Sequence, residues 1–581
     1  MRRPTILILP FLALLATQWW MVDRERSALF AGELFDSDAY MRLVRVQKLI
    51  RGDGWYDARI RRSNAPIGET LHWTRPQDGL LLAGAALLAP MLGWPAGLHW
   101  TGVWLSPVLH ILALALMLWA ARPLLPTGGL LWLGLLFPAQ LLLDFQFAPG
   151  RPDHHALIML LFIWFLGALI RALADDAGPG RIVPAAIAAA LLLWVSVEGL
   201  LSAMLLFPPL ALAWLVRGGP WALRGLLAAA VMTAGAALAV VLEYPPGAWF
   251  TVAHDRISIV HVVLLALLAC AFAVAAGSQR RLPGLLGFAA VPAVQALAFP
   301  GFFAGPLSAA DDTFRAAIFN YAGETAPLTA PADFLAFLGP ALIALPVSLW
   351  HLRRPGGRPA WAILALGLLL FGPLAVMQMR WTSYVAILAL PGYAWLLAGI
   401  LARLDRRRPL SLLFLSSLGR TVAVLAFAVG FFLASRLVPG QGSQDPKCPL
   451  DGMARHLATE GSAEHGRLRI LSYLTVASAI LYRGPHEVIG TPYFRNREGG
   501  RDTLAFFGAS DPERAREIVD RRRVDLVLAC PADRESRLYR GDGAKPTLLD
   551  RLAAGTAPAW LRPIPLPADL AAWYRLYEVR R

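Results

Sequence analysis

Residues 150–155, with the sequence GRPDHH, place four ionisable side chains between two long apolar runs, 127–147 and 155–173. Each run approaches the length of about 20 residues that a helix needs to cross the hydrocarbon core of a bilayer. Ionisable groups are costly inside a membrane, so a cluster of them at the boundary of a span is a candidate functional site. This stretch therefore predicts a membrane-spanning helical fold and the position of a site within it.

The same apolar pattern recurs along the chain. Of its 581 residues, 57% are hydrophobic and 16% are charged, a composition too apolar for a soluble enzyme. A first run ends at Met21 and reads as an uncleaved span, because no small-residue cleavage pattern follows it. Further candidate spans lie near 99–121, 181–197, 199–216, 222–243, 258–277, 283–302, 332–351, 359–378, 382–402 and 411–437. We predict a polytopic α-helical membrane protein with 13 spans, in which residues 79–94 form an interfacial or re-entrant segment.

The net charge of +15 indicates topology rather than a nucleic-acid partner. Its Lys and Arg residues lie in short loops, as in the clusters near 280, 353 and 403–408. Positively charged short loops stay on the cytoplasmic side of a membrane. With 13 spans every basic loop falls on that side, and the acidic and histidine-containing loops share the opposite face.

The composition changes from apolar to that of a soluble domain near Val438. Predicted strands at 468–471, 524–529 and 574–579 and a predicted helix at 511–523 indicate a small α/β domain. We therefore divide the chain into a transmembrane domain, 1–437, and a soluble domain, 438–581. The first external loop spans about 24–98 and a long external loop about 303–331. Cys448 and Cys530 could form a disulfide if the second domain lies outside the cytoplasm.

Two pairs of side chains in the external loops could bind a metal. Asp36 and Asp38 are closely spaced carboxylates that could hold a divalent cation or activate a nucleophile, or could cap the helix that follows them. Asp153 and His155 offer an oxygen and an imidazole, a mixture that suits Mn²⁺. Alternatively, Asp153 caps the span at 155–173 and the histidines lie at the interface.

Two further residues stand at the ends of spans or in long loops. Glu324 lies in the Gly-, Ala- and Pro-rich external loop, and loops of that length are often lids or binding segments, although a single loop glutamate is usually just solvated. Arg380, beside Trp381 at the end of a span, has a planar fork suited to phosphate. Its alternative role is to reach the membrane interface with its long side chain.

These four groups are Asp36 with Asp38, Asp153 with His155, Glu324, and Arg380. In their order and spacing they resemble the motifs of STT3-like oligosaccharyltransferases, which belong to the GT-C glycosyltransferase superfamily. Asp38-Ala39-Tyr40 with Arg42 and Arg45 is similar to the first-loop aspartate motif of these enzymes. Residues 150–155 are similar to the second-loop motif in its archaeal Asp-His-His form.

The later motifs continue the resemblance. Residues 323–327, GETAP, look like the segment with the catalytic glutamate, and residues 378–381, QMRW, like the motif that meets the lipid-linked diphosphate. The resemblance covers residues 1–437 and extends to the number of spans. It implies a GT-C fold and an external C-terminal domain.

The resemblance also implies a reaction. A sugar or oligosaccharide would pass from a polyprenyl-(di)phosphate carrier to a protein, lipid or glycan acceptor, with inversion at the anomeric carbon. A divalent metal, Mn²⁺ or Mg²⁺, would be held by Asp38, Asp153, His155 and Glu324. Arg380 would bind the donor phosphate, and Asp38 with Glu324 would act on the acceptor. Accessory roles would fall to Asp36, His154 and Trp381.

The implied location is a bacterial-type inner membrane, crossed many times, with the site and the C-terminal domain facing the periplasm. The membrane lipids are then partners of the chain, and a nucleic acid is not. The alternatives are a GT-C transferase that moves a single sugar to a lipid or surface glycan, an inactive scaffold, and a transporter or flippase of lipid-linked sugars. A transporter would place charges near mid-span and show repeated halves, and neither feature is present.

The C-terminal domain departs from the family pattern. No Trp-Trp-Asp motif, which reads the acceptor sequon in that family, occurs after Val438. Only residues 515–519 and 524–528 keep a likeness to those domains. Residues 493–496, YFRN, could form a different acceptor surface, or could be a packed aromatic pair beside a turn. An asparagine acceptor is therefore not implied.

Overall fold

A bundle of apolar helices is joined to a small α/β unit at the C-terminal end of the chain. The computed structural model describes residues 7–173, 178–306, 316, 323–354, 359–406, 413–437, 448–461, 466–541 and 545–581. Within these ranges, nine helical segments are long and apolar enough to cross a membrane: Arg75–Ala121, His155–Ala172, Val197–Arg217, Gly219–Glu243, Ile259–Gly277, Arg281–Ala298, Pro331–Arg353, Pro359–Met377 and Met379–Arg403. Four other apolar helices are Ile8–Arg24, Thr127–Leu136, Val183–Val195 and Leu413–Ser435. Each of these 13 helices overlaps one predicted span, but Thr127–Leu136 and Val183–Val195, with 10 and 13 residues, are shorter than a bilayer crossing requires.

The segment 79–94 belongs to the long helix Arg75–Ala121, which turns back on itself at Gly93. Gly93 has φ 76° and ψ 158°, a conformation that a side chain would strain. The two arms then pack closely, since a Cβ atom at Gly97 would lie 3.0 Å from the Ala85 carbonyl oxygen. The predicted interfacial segment is therefore one helical arm of a hairpin whose other arm continues into a span.

The first loop contributes an amphipathic helix, Ser37–Ile50, and two short antiparallel strands, β1 (Arg59–Ile60) and β2 (Glu69–Thr70). Asp36 is the N-cap of the helix, and its carboxylate accepts a hydrogen bond of 2.9 Å from the Ala39 N–H. The capping alternative is thus correct for Asp36. A satisfied N-cap typically stabilises a helix by about 1 kcal/mol.

The C-terminal unit has a mixed five-stranded sheet in the order β4-β3-β5-β7-β6. Its strands are β3 (Arg469–Ser472), β4 (Glu487–Val488), β5 (Leu526–Ala529), β6 (Leu561–Ile564) and β7 (Arg575–Val579). Strand β3 is parallel to β4 and β5, whereas β7 is antiparallel to β5 and β6. The main helices are Leu450–His456, Leu474–Arg483, Arg497–Phe507, Pro512–Arg522 and Leu548–Ala553.

The structure confirms the predicted strands β3, β5 and β7, the predicted helix at 511–523 and the disulfide between Cys448 and Cys530. Strand β4 was not predicted because it has only two residues. Strand β6 was not predicted because it contains Pro563, a residue that a β-strand tolerates only at the edge of a sheet, where β6 lies. The predicted domain boundary adjoins residues 438–447, which lie outside the described residues.

The first loop and the C-terminal unit share one hydrophobic core. A single buried cluster runs from Leu34 in the loop to Tyr577 in β7. The helix Ser37–Ile50 packs against Leu474–Arg483, with the rings of Tyr40 and Tyr482 5.9 Å apart. The loop that carries Asp38 is therefore held from both sides, by the helical bundle and by the C-terminal unit.

Candidate active site

Backbone hydrogen bonds hold residues 150–152 between the first loop and the long hairpin helix. The Phe35 N–H donates to the Gly150 carbonyl, and the Gly150 N–H donates to the Val103 carbonyl, each over 3.0 Å. The side-chain amide of Gln77 donates to the Pro152 carbonyl over 2.9 Å. Gly150 has φ 75°, where its lack of a side chain removes the strain. The loop thus presents Asp153 at the start of the helix His155–Ala172.

Asp153 is 1% exposed, and its two carboxylate oxygens have different surroundings. Oδ1 accepts a 2.7 Å hydrogen bond from the His154 N–H and lies 2.5 Å from His154 Nδ1. Oδ2 lies 3.4 Å from His155 Nε2 and accepts no hydrogen bond from the residues that the structure describes. His154 is the N-cap of the helix and has no capping hydrogen bond, so the capping alternative for Asp153 is wrong.

Glu324 meets this pair from another part of the chain. It lies in the short 3₁₀ helix Gly323–Thr325, and its Oε2 is 3.6 Å from His155 Nε2. Arg151 lies between two acids, with Nη2 3.9 Å from Glu324 Oε2 and Nε 3.6 Å from Asp36 Oδ2. Burial raises the pKa of Glu324, but the positive charges of His155, Arg380 and Arg151 outweigh it and lower the pKa overall.

Asp38 completes the group of carboxylates. Burial, followed by repulsion from Asp36, Asp153 and Glu324, raises the pKa of Asp38 well above its usual range. The neighbouring side chain of Tyr493 opposes this change in the pKa. Carboxylates that repel one another in this way favour either a proton or a bound cation. Among the described residues, the ligand atoms close enough for one ion belong to Asp153, His154 and His155, so Asp38 and Glu324 both lie beside this group and not within it.

The donor atoms of Asp153 and His155 are spaced for a small divalent cation, and Glu324 contacts the same His155 nitrogen. Within the described ranges, Asp153, His154 and His155 form a group whose ligand atoms lie within 4.8 Å of one another. Ligand atoms bound about 2.1 Å from an ion lie about 3.0 to 3.5 Å apart, close to the 3.4 and 3.6 Å separations here. Asp153 Oδ2, which is buried and accepts no hydrogen bond from any described residue, is the acceptor that such an ion would satisfy.

His154 supports Asp153 and packs on His155. Its Nδ1 also lies 3.1 Å from Arg42 Nη2, and its ring stacks on that of His155 with centroids 4.6 Å apart. Hydrogen bonds of this kind orient a ligand and typically change metal affinity 10- to 100-fold. The predicted accessory role of His154 is consistent with this position.

Arg380 stands at the junction of two helices, in the 3₁₀ helix Met379–Trp381. Its guanidinium forms an ion pair with Glu198 and lies 5.7 Å from the centre of the Trp381 ring. Arg380 thus lies beside a carboxylate, and its side chain is 22% exposed. Glu198, at the junction between the helices Val183–Val195 and Leu200–Arg217, lies between two predicted spans and is not among the predicted site residues.

A buried ion network joins the first loop to the site and was also missed. Asp78 is fully buried and lies 3.1, 2.6 and 3.0 Å from nitrogen atoms of Arg42, Arg45 and Arg75. Arg42 Nη2 is in addition 3.6 Å from Asp153 Oδ1. One sequence signal could have suggested the network, because Arg42 and Arg45 are three residues apart and lie on the same helix face.

Residues 493–496 of the C-terminal unit reach the site. Tyr493 is 5% exposed, its hydroxyl donates to the Ser37 carbonyl over 3.3 Å, and its ring lies 5.0 Å from that of Trp73. Arg495 makes two hydrogen bonds to Asp255, of 2.6 and 2.5 Å. The packed aromatic interpretation is therefore correct for Tyr493, and a role for this segment in acceptor binding stays a prediction.

Comparison with known proteins identifies the fold. No protein-family model and no curated protein matches the chain. The apo form of an oligosaccharyltransferase from Archaeoglobus fulgidus superimposes with a TM-score of 0.69 and 13% identity, covering 97% of this chain and 80% of that one. The archaeal oligosaccharyltransferase AglB in complex with an inhibitory peptide and a dolichol-phosphate gives 0.68 and 14%, covering 90% and 69%. The Archaeoglobus fulgidus enzyme in complex with Zn and sulfate gives 0.65 and 15%, covering 90% and 68%.

These similarities confirm the predicted fold class. The chain has the fold of the archaeal oligosaccharyltransferases over at least nine-tenths of its length. The predicted resemblance to STT3-like enzymes is thus confirmed as a resemblance of folds.

Proposed function

We propose that this protein is a membrane-embedded glycosyltransferase that moves a sugar or oligosaccharide from a polyprenyl-(di)phosphate carrier to an acceptor, with the help of Mn²⁺ or Mg²⁺. The observation that carries the proposal is the position of His155 Nε2 between two carboxylates, 3.4 Å from Asp153 Oδ2 and 3.6 Å from Glu324 Oε2. It occurs in a fold shared with an enzyme solved together with a dolichol-phosphate and an inhibitory peptide. A lipid-linked donor is therefore the first substrate class to test.

The proposed roles follow from the charges of the residues. Asp153, His155 and Glu324, with Asp38 nearby, would hold the cation. When bound, the cation would supply positive charge to the phosphate leaving group. Arg380 would donate hydrogen bonds to the same phosphate, which develops negative charge as the bond to the sugar breaks. These roles account for three acids and a histidine gathered beside an arginine.

Asp38 would act on the acceptor. Its carboxylate would accept a hydrogen bond from the acceptor nucleophile and direct a lone pair at the anomeric carbon. In the transfer, the bond between the anomeric carbon and the phosphate oxygen breaks, the bond from the acceptor to that carbon forms, and the acceptor proton leaves to a carboxylate or to solvent. A single displacement of this kind inverts the anomeric carbon.

The test is transfer by the purified protein. Labelled lipid-linked glycan extracted from the host is incubated with the protein, with Mn²⁺ or with EDTA, and label is followed into peptide, lipid and glycan fractions. We expect transfer that needs the metal and is lost in Asp38→Ala and Asp153→Ala. The matched control is Asp569→Ala, since Asp569 is exposed and far in sequence from every site residue. Metal-independent transfer, or full activity in both site variants, would refute the mechanism, and movement of lipid without a covalent product would favour a transporter.

We further propose that the site faces the periplasm of a bacterial-type inner membrane. Phe250, in the loop after the helix Gly219–Glu243, is exposed on the predicted periplasmic face, and Gln279 is exposed in a predicted cytoplasmic loop. In a Cys270→Ser background, Phe250→Cys should react with an impermeant thiol reagent in intact spheroplasts. Gln279→Cys should react only after the membrane is opened, and the reverse pattern would overturn the orientation.

A further inference from the structure

The Arg380 guanidinium, proposed above to bind the donor phosphate, already has an anionic partner. Its Nη2 is ion-paired with Glu198 Oε1, and the two side chains are 22% and 13% exposed. Tyr384, one turn beyond Arg380, also hydrogen-bonds the Glu198 carboxylate. The guanidinium that a phosphate would need is thus already paired with a carboxylate of the chain itself.

The backbone holds Glu198 in this position. Ser196 is extended, with φ −153° and ψ 144°, and its hydroxyl accepts a 3.3 Å hydrogen bond from the Glu198 N–H. The next residue is Gly199, where a Cβ atom would clash with the backbone of Leu193 in the preceding helix. The close approach at Gly199 and the hydrogen bond to Ser196 thus fix the backbone on both sides of Glu198, whose carboxylate contacts Arg380.

A donor phosphate and Glu198 must compete for the same guanidinium. Arg presents a planar fork that binds one carboxylate or phosphate well. Glu198 and a phosphate on the same fork would repel each other, because both are negative and the site is largely shielded from water. Binding of the donor then requires that Glu198 move away from Arg380 or share it at a cost.

We infer that Glu198 is a positioning residue and the resident counter-ion of Arg380, which weakens binding of a polyprenyl phosphate and speeds the release of the phosphate product. It keeps the guanidinium in place while no lipid is bound. It returns to the guanidinium when the product leaves. The inference rests on the proposed function, because it assumes that Arg380 receives the phosphate of the lipid.

The test is Glu198→Gln, which keeps the size and the hydrogen-bonding ability of the side chain but removes its charge. Binding of undecaprenyl phosphate to purified protein is measured by native mass spectrometry or by a fluorescence titration. We expect the variant to bind about tenfold more tightly, the effect of losing one charged competitor. In the transfer assay KM for the donor and the inhibition constant of the lipid phosphate should both fall, and kcat should fall as release slows.

A merely structural role predicts the opposite sign. If Glu198 only braces Arg380, its loss would disorder the guanidinium and raise both the Kd and KM. The double variant Glu198→Gln/Arg380→Gln should bind the lipid no better than Arg380→Gln alone, because the gain depends on the arginine. Glu198→Ala, which should also bind more tightly than wild type, replaces Glu198→Gln if that variant does not fold.

The two proposals can fail separately. If the wild-type protein neither binds undecaprenyl phosphate nor transfers a sugar, the proposed function fails. If the wild type does both and Glu198→Gln binds the lipid equally or more weakly, only the role of Glu198 is overturned.

Discussion

Replacing Asp153 with Asn changes the metal site at one atom. The Asn side chain has the same shape, and its oxygen can still accept the hydrogen bond from the His154 N–H. Its amide nitrogen, however, takes the place of Oδ2, which lies 3.4 Å from His155 Nε2 and has no hydrogen bond from the residues that the structure describes. The variant therefore removes the anionic oxygen that lies beside His155 Nε2.

The loss of cation affinity should be large. Removing a group that only orients a ligand already costs 10- to 100-fold in affinity. Removing the ligand oxygen itself should cost at least about 100-fold, equivalent to about 2.7 kcal/mol. Stability should change little by comparison, because Arg42 keeps its closer partner, Asp78, at 3.1 Å.

Mn²⁺ is the probe for this experiment, since free and bound Mn²⁺ are separated by electron paramagnetic resonance. Purified wild type, Asp153→Asn and the exposed control Asp569→Asn are titrated, and thermal unfolding is followed for each. We expect one site in wild type and in the control, and at least 100-fold weaker binding in Asp153→Asn. Binding within threefold of wild type at the same stoichiometry would show that the cation site is not built on Asp153.

Three further predictions concern the surroundings of the site. Asp78→Asn leaves three buried arginines without their shared carboxylate and should destabilise the protein by about 3 to 5 kcal/mol. Denaturant unfolding measures this change, with Asp569→Asn as the control. A loss of stability below about 1 kcal/mol would contradict the role of the network. Burial raises the pKa of Glu69 from 4.5 to about 7. The folded state therefore favours the neutral carboxyl group, and the stability that this group contributes is fully present below about pH 4.5 and is lost as the pH rises through 7. Wild type should lose up to about 3 kcal/mol between pH 5 and 9 that Glu69→Gln retains, and equal pH profiles would refute this. Tyr493→Phe removes the hydroxyl that donates to the Ser37 carbonyl, next to Asp38, and should lower kcat about tenfold while the donor KM stays within twofold. A change confined to KM would exclude a role beside Asp38.

The spans and the core of the site followed from local signals in the sequence. Hydropathy located the helices because each span must satisfy its own backbone hydrogen bonds in lipid. Asp153 and His155 stood out because they adjoin an apolar run, and the structure brings Glu324 to His155. Their chemical roles remain predictions, since proximity alone does not establish a reaction.

The partners of these residues could not be predicted in the same way. Glu198 lies 182 positions before Arg380 in the sequence, and nothing near either residue identifies the other. Asp78 stands at the edge of the segment 79–94, so its burial among three arginines depends on how the hairpin arm packs. Strand β4 has only two residues, too few for an alternating pattern to be visible. Long-range packing decided each of these cases.

The core that the first loop shares with the C-terminal unit also sets the order of events during synthesis. Gln47 donates a hydrogen bond to the Tyr482 carbonyl, 435 residues further along the chain. At about 5 to 20 residues per second, a ribosome needs about 20 to 90 s to make that interval. During this time the helix Ser37–Ile50 can pack on the hairpin helix Arg75–Ala121, but the side that contacts the helix Leu474–Arg483 has no partner. The carboxylate of Asp38 thus reaches its final position only when the last part of the chain has emerged, so a truncated chain is made without a complete site.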